Sequence, residues 1–281
     1  MRIHPHTILA TVLFTFAVAC GDDGSTSQGG TGGNDGGGGV GGSADGGSAP
    51  TGGSPSTGGS APLANGCVAT FDGVDDVLVA DVGDEASAAD NFSVGASLRF
   101  TDASGIRFVA GRHLDGFNNG YYLAIADEGQ LEARLIVFVE GNTCFATAPL
   151  GASNGFVHIL GSFASPTARV FINGELAAEV QCSDALPIIE PDSVFSIGRS
   201  ETGVFPYAGD IDHVEYFSTA VTESFDPSTI DCDLAALRFD FEATEAGEGS
   251  FVPEACAASI TARVGEVEGA DESDPAFACA D

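Results

Sequence analysis

The 281-residue chain contains no lysine and no tryptophan. Its nine basic residues are all arginines, and against 41 aspartates and glutamates they leave a formal net charge of −32. A nucleic-acid-binding surface must neutralise phosphates with lysine and arginine, so this composition argues against a nucleic acid partner. Acidity favours solubility and attracts divalent cations, although a solvated acidic surface is the commoner reason for it.

The apolar run at residues 7–19 is too short to cross a hydrocarbon core of about 30 Å as a helix. With Arg2 before it, the run is typical of a secretory signal, which predicts a signal peptide over residues 1–19. The following "FAVAC" (16–20) resembles the lipobox of bacterial lipoproteins. That resemblance implies lipidation of Cys20, and Gly21 in place of an aspartate implies an outer-membrane or cell-surface location. A plain cleaved signal is the alternative.

Residues 21–63 contain 18 glycines with serine, threonine and aspartate, and almost no apolar side chains. Such a segment cannot bury enough surface to offset its ordering entropy. We therefore predict a lipidated cysteine and a flexible, disordered tether over residues 20–63, followed by a folded domain over 64–281.

The cysteines predict neither a zinc site nor a thiol nucleophile, because no C-x-x-C pair and no histidine at zinc spacing occurs. With Cys20 assigned to the lipid, six of the seven cysteines remain, and an even number in an exported chain predicts disulfides. Six cysteines allow 15 pairings, and the sequence does not choose among them. They are Cys67, Cys144, Cys182, Cys232, Cys256 and Cys279.

Beyond residue 64, apolar residues alternate with small or polar ones, as in "FSVGASLRF" (92–100), which predicts half-buried strands. Asn173 and Gly174 can take the positive φ angles of a type I′ turn, so the runs on either side should form a hairpin. Long amphipathic helices are absent from the pattern, with one short helical turn predicted near 221–228. Two late segments, 234–243 and 258–267, are predicted strands of the same domain, within a cysteine-rich extension of about 231–281.

Several motifs in order resemble laminin-G-like, concanavalin A-like jelly-roll domains: "FDGVDDVLVADVG" (71–83), "FSVGASLRF", "VFINGELAAEV" (170–180), "VFSIGRS" (194–200) and "GDIDHVEYFSTAVT" (209–222). The resemblance covers about residues 67–230 and implies an all-β, two-sheet antiparallel sandwich. The chain departs from the pattern where it lacks tryptophan, where His213 replaces a usual glutamate, and in its tail after residue 231.

The segment "GDIDHVEY" (209–216) also resembles the Glu-x-Asp-x-x-Glu signature of family-16 glycoside hydrolases. That second resemblance implies Asp210 as nucleophile and Glu215 as acid/base. Asp210 is one methylene shorter than the family's glutamate, and the chain has no tryptophan to stack on sugars. We therefore expect no enzymatic activity.

Asp212 shares a predicted strand face with Val214 and Tyr216, which would bury it beside the core. A buried carboxylate must be paired, hydrogen-bonded or metal-bound, and Asp72 has similar apolar flanks. Two interpretations stay open: a structural Ca²⁺ with Asp72 and Asp212 among its ligands, or capping of backbone N–H groups without a metal.

The segment "GRHLDGFNNGYY" (111–122) places polar and aromatic residues in a loop before a strand. His113, Tyr121 and Tyr122 are predicted glycan contacts, with a solvated loop as the alternative. His158 is predicted to be a hydrogen-bonded structural histidine. Together these patterns predict a surface-anchored lipoprotein whose non-catalytic module binds carbohydrate or protein. A hydrolase using Asp210 and Glu215, or a purely structural domain, are the alternatives.

Overall fold

The structure, a computed structural model, describes residues 66–84, 86–87, 90–114, 118–151, 155–182, 187–190, 192–241, 251–253, 255–256, 260–265 and 274–279. The predicted signal peptide (1–19), Cys20 and the tether (20–63) lie outside the described residues. Among the residues it describes, no helix is both long and apolar enough to cross a membrane.

The described part of the chain is built almost entirely from strands, as its alternating pattern predicts. In chain order they are β1 (Cys67–Asp72), β2 (Leu78–Ala80), β3 (Asn91–Asp102), β4 (Gly105–Arg112), β5 (Tyr121–Asp127), β6 (Leu131–Val139), β7 (Asn142–Pro149), β8 (Val157–Ala164), β9 (Thr167–Ile172), β10 (Glu175–Gln181), β11 (Phe195–Ile197), β12 (Ala208–Phe217), β13 (Leu237–Asp240), β14 (Phe251–Pro253), β15 (Thr261–Val264) and β16 (Ala276–Cys279). A 3-10 helix (Pro227–Thr229) begins after Asp226, whose side chain accepts a hydrogen bond from the Ser228 N–H.

The strands form two antiparallel sheets packed as a sandwich. Sheet A has the order β10-β9-β8-β3-β12-β1-β16, with β13 also paired to β12. Sheet B has the order β14-β15-β2-β11-β4-β5-β6-β7. The predicted two-sheet, all-β fold is confirmed.

The core lies between the two sheets and is filled by the side chains that period-two alternation assigns to it. In β3, Phe92, Val94 and Leu98 are fully buried in this core. The ring of Phe92 lies 4.3 Å from that of Tyr121 on the opposite sheet, measured between centroids. Burial of such side chains contributes roughly 1.5–3 kcal/mol each, so the interior is the main source of stability.

The hairpin between β9 and β10 turns at Asn173 and Gly174, with φ angles of 51° and 80°. Both angles are positive, as a type I′ turn requires, so the hairpin prediction is confirmed. A Cβ at Gly174 would lie 1.9 Å from the Phe225 carbonyl oxygen. The turn therefore supports the segment that follows β12, which crosses the outer face of sheet A.

The late strands belong to both sheets. Strand β13 pairs with β12 and β16 with β1 in sheet A, while β15 pairs with β2 in sheet B. Three disulfides join Cys67 to Cys279, Cys144 to Cys182 and Cys232 to Cys256. The first holds β16 on β1, and the second links edge strand β7 of sheet B to the residue just after β10 of sheet A.

Candidate functional site

The outer face of sheet B carries an apolar cluster that is separate from the core. Its members project from β4, β5 and β6: Phe108, Tyr122, Ala124, Ile136 and Phe138. The rings of Phe108 and Tyr122 are stacked at 5.3 Å, with 24° between their planes. We call this surface, together with Phe145 on β7, the aromatic face.

Phe145 is the exposed member of the aromatic face. Its neighbours in β7, Cys144 and Ala146, point into the core, so Phe145 must point outward. It pairs across the strands with Ile136, which in turn pairs with Tyr122. The Phe145 side chain is 57% exposed. The Phe145 ring therefore continues the buried apolar cluster out to the solvent-exposed surface of sheet B.

Polar groups surround Phe145. Thr143 and Thr147 lie two residues to either side on the same strand face, and both are partly exposed. Arg134 pairs with Thr147 across the strands. Burial lowers the pKa of Arg134, but hydrogen bonds to Glu128 (2.8 Å) and Glu132 (3.0 Å) outweigh it and raise that pKa overall. The edge of the sheet thus offers a flat ring flanked by hydroxyls and a fixed positive charge.

A second group of polar side chains lies on the outer face of sheet A. The register of β12 against β3 pairs Ile211 with Leu98 and His213 with Ser97, so Asp212 is the extra residue of a β-bulge. The bulge puts both Ile211 and Val214 into the core. As a result Asp210, His213 and Glu215 all project outward.

The two outward acids of β12 are both engaged by neighbouring side chains. Asp210 accepts hydrogen bonds from the Thr70 hydroxyl (2.7 Å) and from Arg99 Nε (2.8 Å). Glu215 is fully buried, and its Oε1 lies 2.6 Å from His158 Nε2. Burial raises the pKa of Glu215, but His158 and His213 more than offset this, so the pKa ends below its usual value.

The profile of a laminin G family, described as the concanavalin A-like lectin/glucanases superfamily, matches residues 71–224. The chain belongs to this superfamily. The resemblance to laminin-G-like, concanavalin A-like domains that the motifs indicate is therefore confirmed. A search of curated proteins found no match.

The solved structures that resemble this chain are distant in sequence. A candidate carbohydrate-binding protein from Bacteroides ovatus ATCC 8483 is 19% identical, with a TM-score of 0.54, and covers 78% of this chain. The match spans 61% of that protein's own chain. A heptameric pentraxin from Limulus polyphemus is 11% identical, with a TM-score of 0.48, over 72% of this chain and 96% of its own. A sialidase carbohydrate-binding module from Ruminococcus gnavus is 13% identical, with a TM-score of 0.44, over 56% and 93%.

The predicted ligand contacts of this concanavalin A-like domain are mostly buried. Tyr121 lies in the core and donates its hydroxyl hydrogen bond to the Ala86 carbonyl, which corrects its prediction as a glycan contact. His113 and Tyr122 do lie on the outer side of sheet B. They are only 5% exposed each, and the His113 ring stacks on Phe138 at 4.9 Å. Tyr122 is a buried member of the aromatic face, and the His113 ring packs against it.

The structure does not bring Asp72 and Asp212 together. Asp72 pairs with Ala208 in β12, four residues before Asp212. Asp212 is not on the core face beside Val214, as an unbroken strand would require; the bulge displaces it, and its carboxylate binds His213 Nδ1 at 2.8 Å. Asp72 instead caps the Val74 N–H at 2.7 Å.

Asp72 belongs to a different acidic cluster, with Asp75 and Asp76. Asp76 accepts a hydrogen bond from the backbone N–H of Asp72. Burial raises the pKa of Asp76 to about 6, even though that hydrogen bond lowers it. Carboxylate oxygens of this kind are what Ca²⁺ prefers, so these three residues are where the chain could hold that ion.

The hydrolase alternative requires carboxylates that can touch a sugar. Glu215 has no exposed surface and Asp210 is held by Arg99 and Thr70. In this arrangement neither acid can act on a substrate in solvent.

The sequence reasoning missed Phe145. Phe145 lies in "TCFATA" (143–148), where the alternation predicts a strand but does not mark the ring as a contact. The signal was present, because Cys144, Ala146 and Ala148 form a small apolar face and Phe145 falls on the other one. A large aromatic residue out of phase with the core face of a strand is the pattern that would have found it.

Proposed function

We propose that this protein is a non-catalytic carbohydrate-binding module, and that the aromatic face of sheet B is its binding surface. The observation that carries the proposal is the 57% exposed ring of Phe145, set beside a buried aromatic cluster. The C–H face of a sugar ring packs against such an aromatic ring. Nearby hydroxyl and guanidinium groups fix its orientation through hydrogen bonds.

Two further observations support binding without cleavage. The acids that could have formed a hydrolase pair, Asp210 and Glu215, are engaged by other side chains. The Bacteroides ovatus protein with the same fold is described as a candidate for carbohydrate binding.

A glycan array tests the proposal. We expect the purified protein to bind at least one class of glycan, and to release no reducing sugar from it on prolonged incubation. The array should be run with and without Ca²⁺, because the cluster at Asp72 could contribute an ion. Absence of binding in both conditions, or release of reducing sugar, would contradict the proposal.

We further propose that the module is displayed on a bacterial outer membrane or cell surface through a lipid on Cys20. The support is the lipobox-like "FAVAC" after an apolar run and the glycine-rich segment that follows it. Metabolic labelling with a radioactive fatty acid should mark the wild-type protein and leave Cys20→Ser unlabelled. Labelling that persists in Cys20→Ser would sink the lipid assignment.

A further inference from the structure

A cluster of two histidines and a glutamate lies on the outer face of sheet A, away from the aromatic face. His158 projects from β8, and His213 and Glu215 project from β12. Strand β3 lies between these two strands, and its Ser97 pairs with both histidines. The three side chains therefore meet above the central strand.

Small residues on β3 make room for this meeting. Gly95 pairs with Glu215, and a Cβ at Gly95 would lie 2.3 Å from Glu215 Oε1. Any larger residue would fill the space that the carboxylate occupies. The cluster is thus accommodated by the sequence of β3 as well as by its own three residues.

The hydrogen bonding fixes how His213 faces the cluster. His213 Nδ1 lies 2.8 Å from the carboxylate of Asp212, which can only accept a hydrogen bond, so Nδ1 carries the proton. In a neutral imidazole the lone pair is then on Nε2, which faces Glu215 Oε2 at 3.4 Å. Two acceptors that face each other require a cation between them.

Both of these acceptors are buried without a hydrogen-bond partner. His213 Nε2 and Glu215 Oε2 are each inaccessible to solvent and unsatisfied. A buried carboxylate oxygen with no partner destabilises the folded state. We therefore expect a cation to bind between His213 Nε2 and Glu215 Oε2.

The surrounding charge favours a divalent cation. Beside Glu215 lie the carboxylate of Asp212, bonded to His213, and Asp240, which pairs with His213 across β13. Among the described residues, the cation that faces these carboxylates is Arg238, which pairs with Glu215. With neutral imidazoles, three carboxylates and one guanidinium leave a net charge of −2.

We propose that His158, His213 and Glu215 bind a divalent transition metal ion of the zinc type. Their ligand atoms all lie within 4.8 Å of one another. Ligand atoms on a tetrahedral Zn²⁺ are about 3.3 Å apart, a value between the 3.4 Å from Glu215 Oε2 to His213 Nε2 and the 2.6 Å from Glu215 Oε1 to His158 Nε2. Metal binding would release the proton that His158 Nε2 donates to Glu215.

The ligand set also selects the kind of ion. Imidazole nitrogens suit zinc and its neighbours, whereas Ca²⁺ and Mg²⁺ prefer oxygen alone. Asp212 would act as the carboxylate partner that orients a metal-bound histidine. His213 is the most exposed of the three, with 13% of its side chain accessible, so the cluster lies closest to solvent on the His213 side.

The test uses the purified chain, stripped with a chelator and then titrated with ZnCl₂ by calorimetry and with CoCl₂ by visible absorption. We expect about one metal ion per chain, an intense visible Co²⁺ band from tetrahedral nitrogen ligation, and a higher melting temperature with Zn²⁺. His213→Gln should weaken binding at least about tenfold. Glu140→Gln, which removes an exposed carboxylate between β6 and β7 of sheet B, should bind as the wild type does.

The competing occupant is a proton, which would make the cluster a buried imidazolium–carboxylate pair. In that case the wild-type chain binds no stoichiometric Zn²⁺, and the proposal is overturned. Undiminished Zn²⁺ binding in His213→Gln would overturn it as well. Metal-free melting curves of both variants separate loss of the site from loss of the fold.

Discussion

At the scale of single residues, the molecule places carboxylates where burial and hydrogen bonds decide their behaviour. Asp76 is 6% exposed and lies beside Asp72 and Asp75. Burial first, and then the two neighbouring carboxylates, raise its pKa from 3.8 to about 6. Glu215, which is more deeply buried, keeps a low pKa because two imidazoles lie beside it.

Asp76 should make the folded protein more stable at moderately acidic pH. The folded state binds the proton more tightly than the unfolded state, so the free energy of unfolding falls as pH rises from about 4 to about 6. In Asp76→Asn this fall in the free energy of unfolding should disappear, whereas Asp233→Asn, at an exposed position, should leave it unchanged. Urea unfolding at pH 4.5 and pH 7 checks it, comparing Asp76→Asn with Asp233→Asn. Equal pH dependence in both variants would count against the burial of Asp76.

Gly95 should be nearly irreplaceable because Glu215 occupies the space beside it. Gly95→Ala must displace Glu215 from His158 and should cost about 2–3 kcal/mol of unfolding free energy. Gly151→Ala is the matched control, since a Cβ there meets nothing within 4 Å. Chemical denaturation of both variants measures the difference, and an equal effect would show that the space at Gly95 is not filled.

At the scale of strands and turns, the hairpin at Asn173 and Gly174 does more than reverse the chain. Gly174 accepts the Phe225 N–H on its carbonyl and leaves no room for a side chain next to Phe225. The Phe225 ring lies 5.8 Å from that of His158, measured between centroids. The turn therefore positions the segment that covers the histidine cluster.

Gly174→Ala should cost more than its backbone angle alone explains. Gly141 has a similar φ of 74° with open space around it, so Gly141→Ala measures only the strain of a positive φ, about 1–2 kcal/mol. Gly174→Ala should add about 1–3 kcal/mol from the contact with Phe225. Thermal unfolding of the two variants gives the comparison, and identical losses would contradict the packing described here.

The features that the sequence predicts correctly are the ones that depend on local residues. The alternation in "FSVGASLRF" and the Asn173-Gly174 turn depend on neighbouring residues only, and both appear as predicted. The bulge at Asp212 depends on the pairing of β12 with β3, which a single strand does not reveal. That one extra residue moves Asp212 off the core face and puts Asp210 on the same outer side as His213 and Glu215.

The candidate site was less predictable for the same reason. Tyr121 and Tyr122 are adjacent in sequence, but one faces the core and the other the outer surface of sheet B. Choosing between them requires knowing which face of β5 packs on the other sheet. Phe145 becomes visible as a site residue only when its strand is placed at the edge of sheet B, beside Ile136.

At the scale of the whole molecule, disulfides tie the ends of the described domain to its sheets. The Cys67–Cys279 bridge closes a loop with a sequence separation of 212, against 24 for Cys232–Cys256. By the loop-entropy relation they should contribute about 5 and about 3.5 kcal/mol, respectively. The order of these two effects depends on loop length and not on local packing.

Removing the bridges one at a time should reveal that order. Cys67→Ala with Cys279→Ala should lower the melting temperature more than Cys232→Ala with Cys256→Ala does. Differential scanning calorimetry of the two double variants provides the measurement. A larger loss from the shorter loop would mean that strain or local contacts outweigh chain entropy here.

The proposed function depends most on carbohydrate binding at the aromatic face through Phe145. The direct measurement is isothermal titration of the best glycan from the array into the wild type, Phe145→Ala and Leu234→Ala. Leu234 is similarly exposed, at 60%, but lies outside the aromatic face. We predict at least about tenfold weaker binding for Phe145→Ala, about 1.4 kcal/mol, and unchanged binding for Leu234→Ala. Equal affinity of Phe145→Ala and wild type would contradict the account.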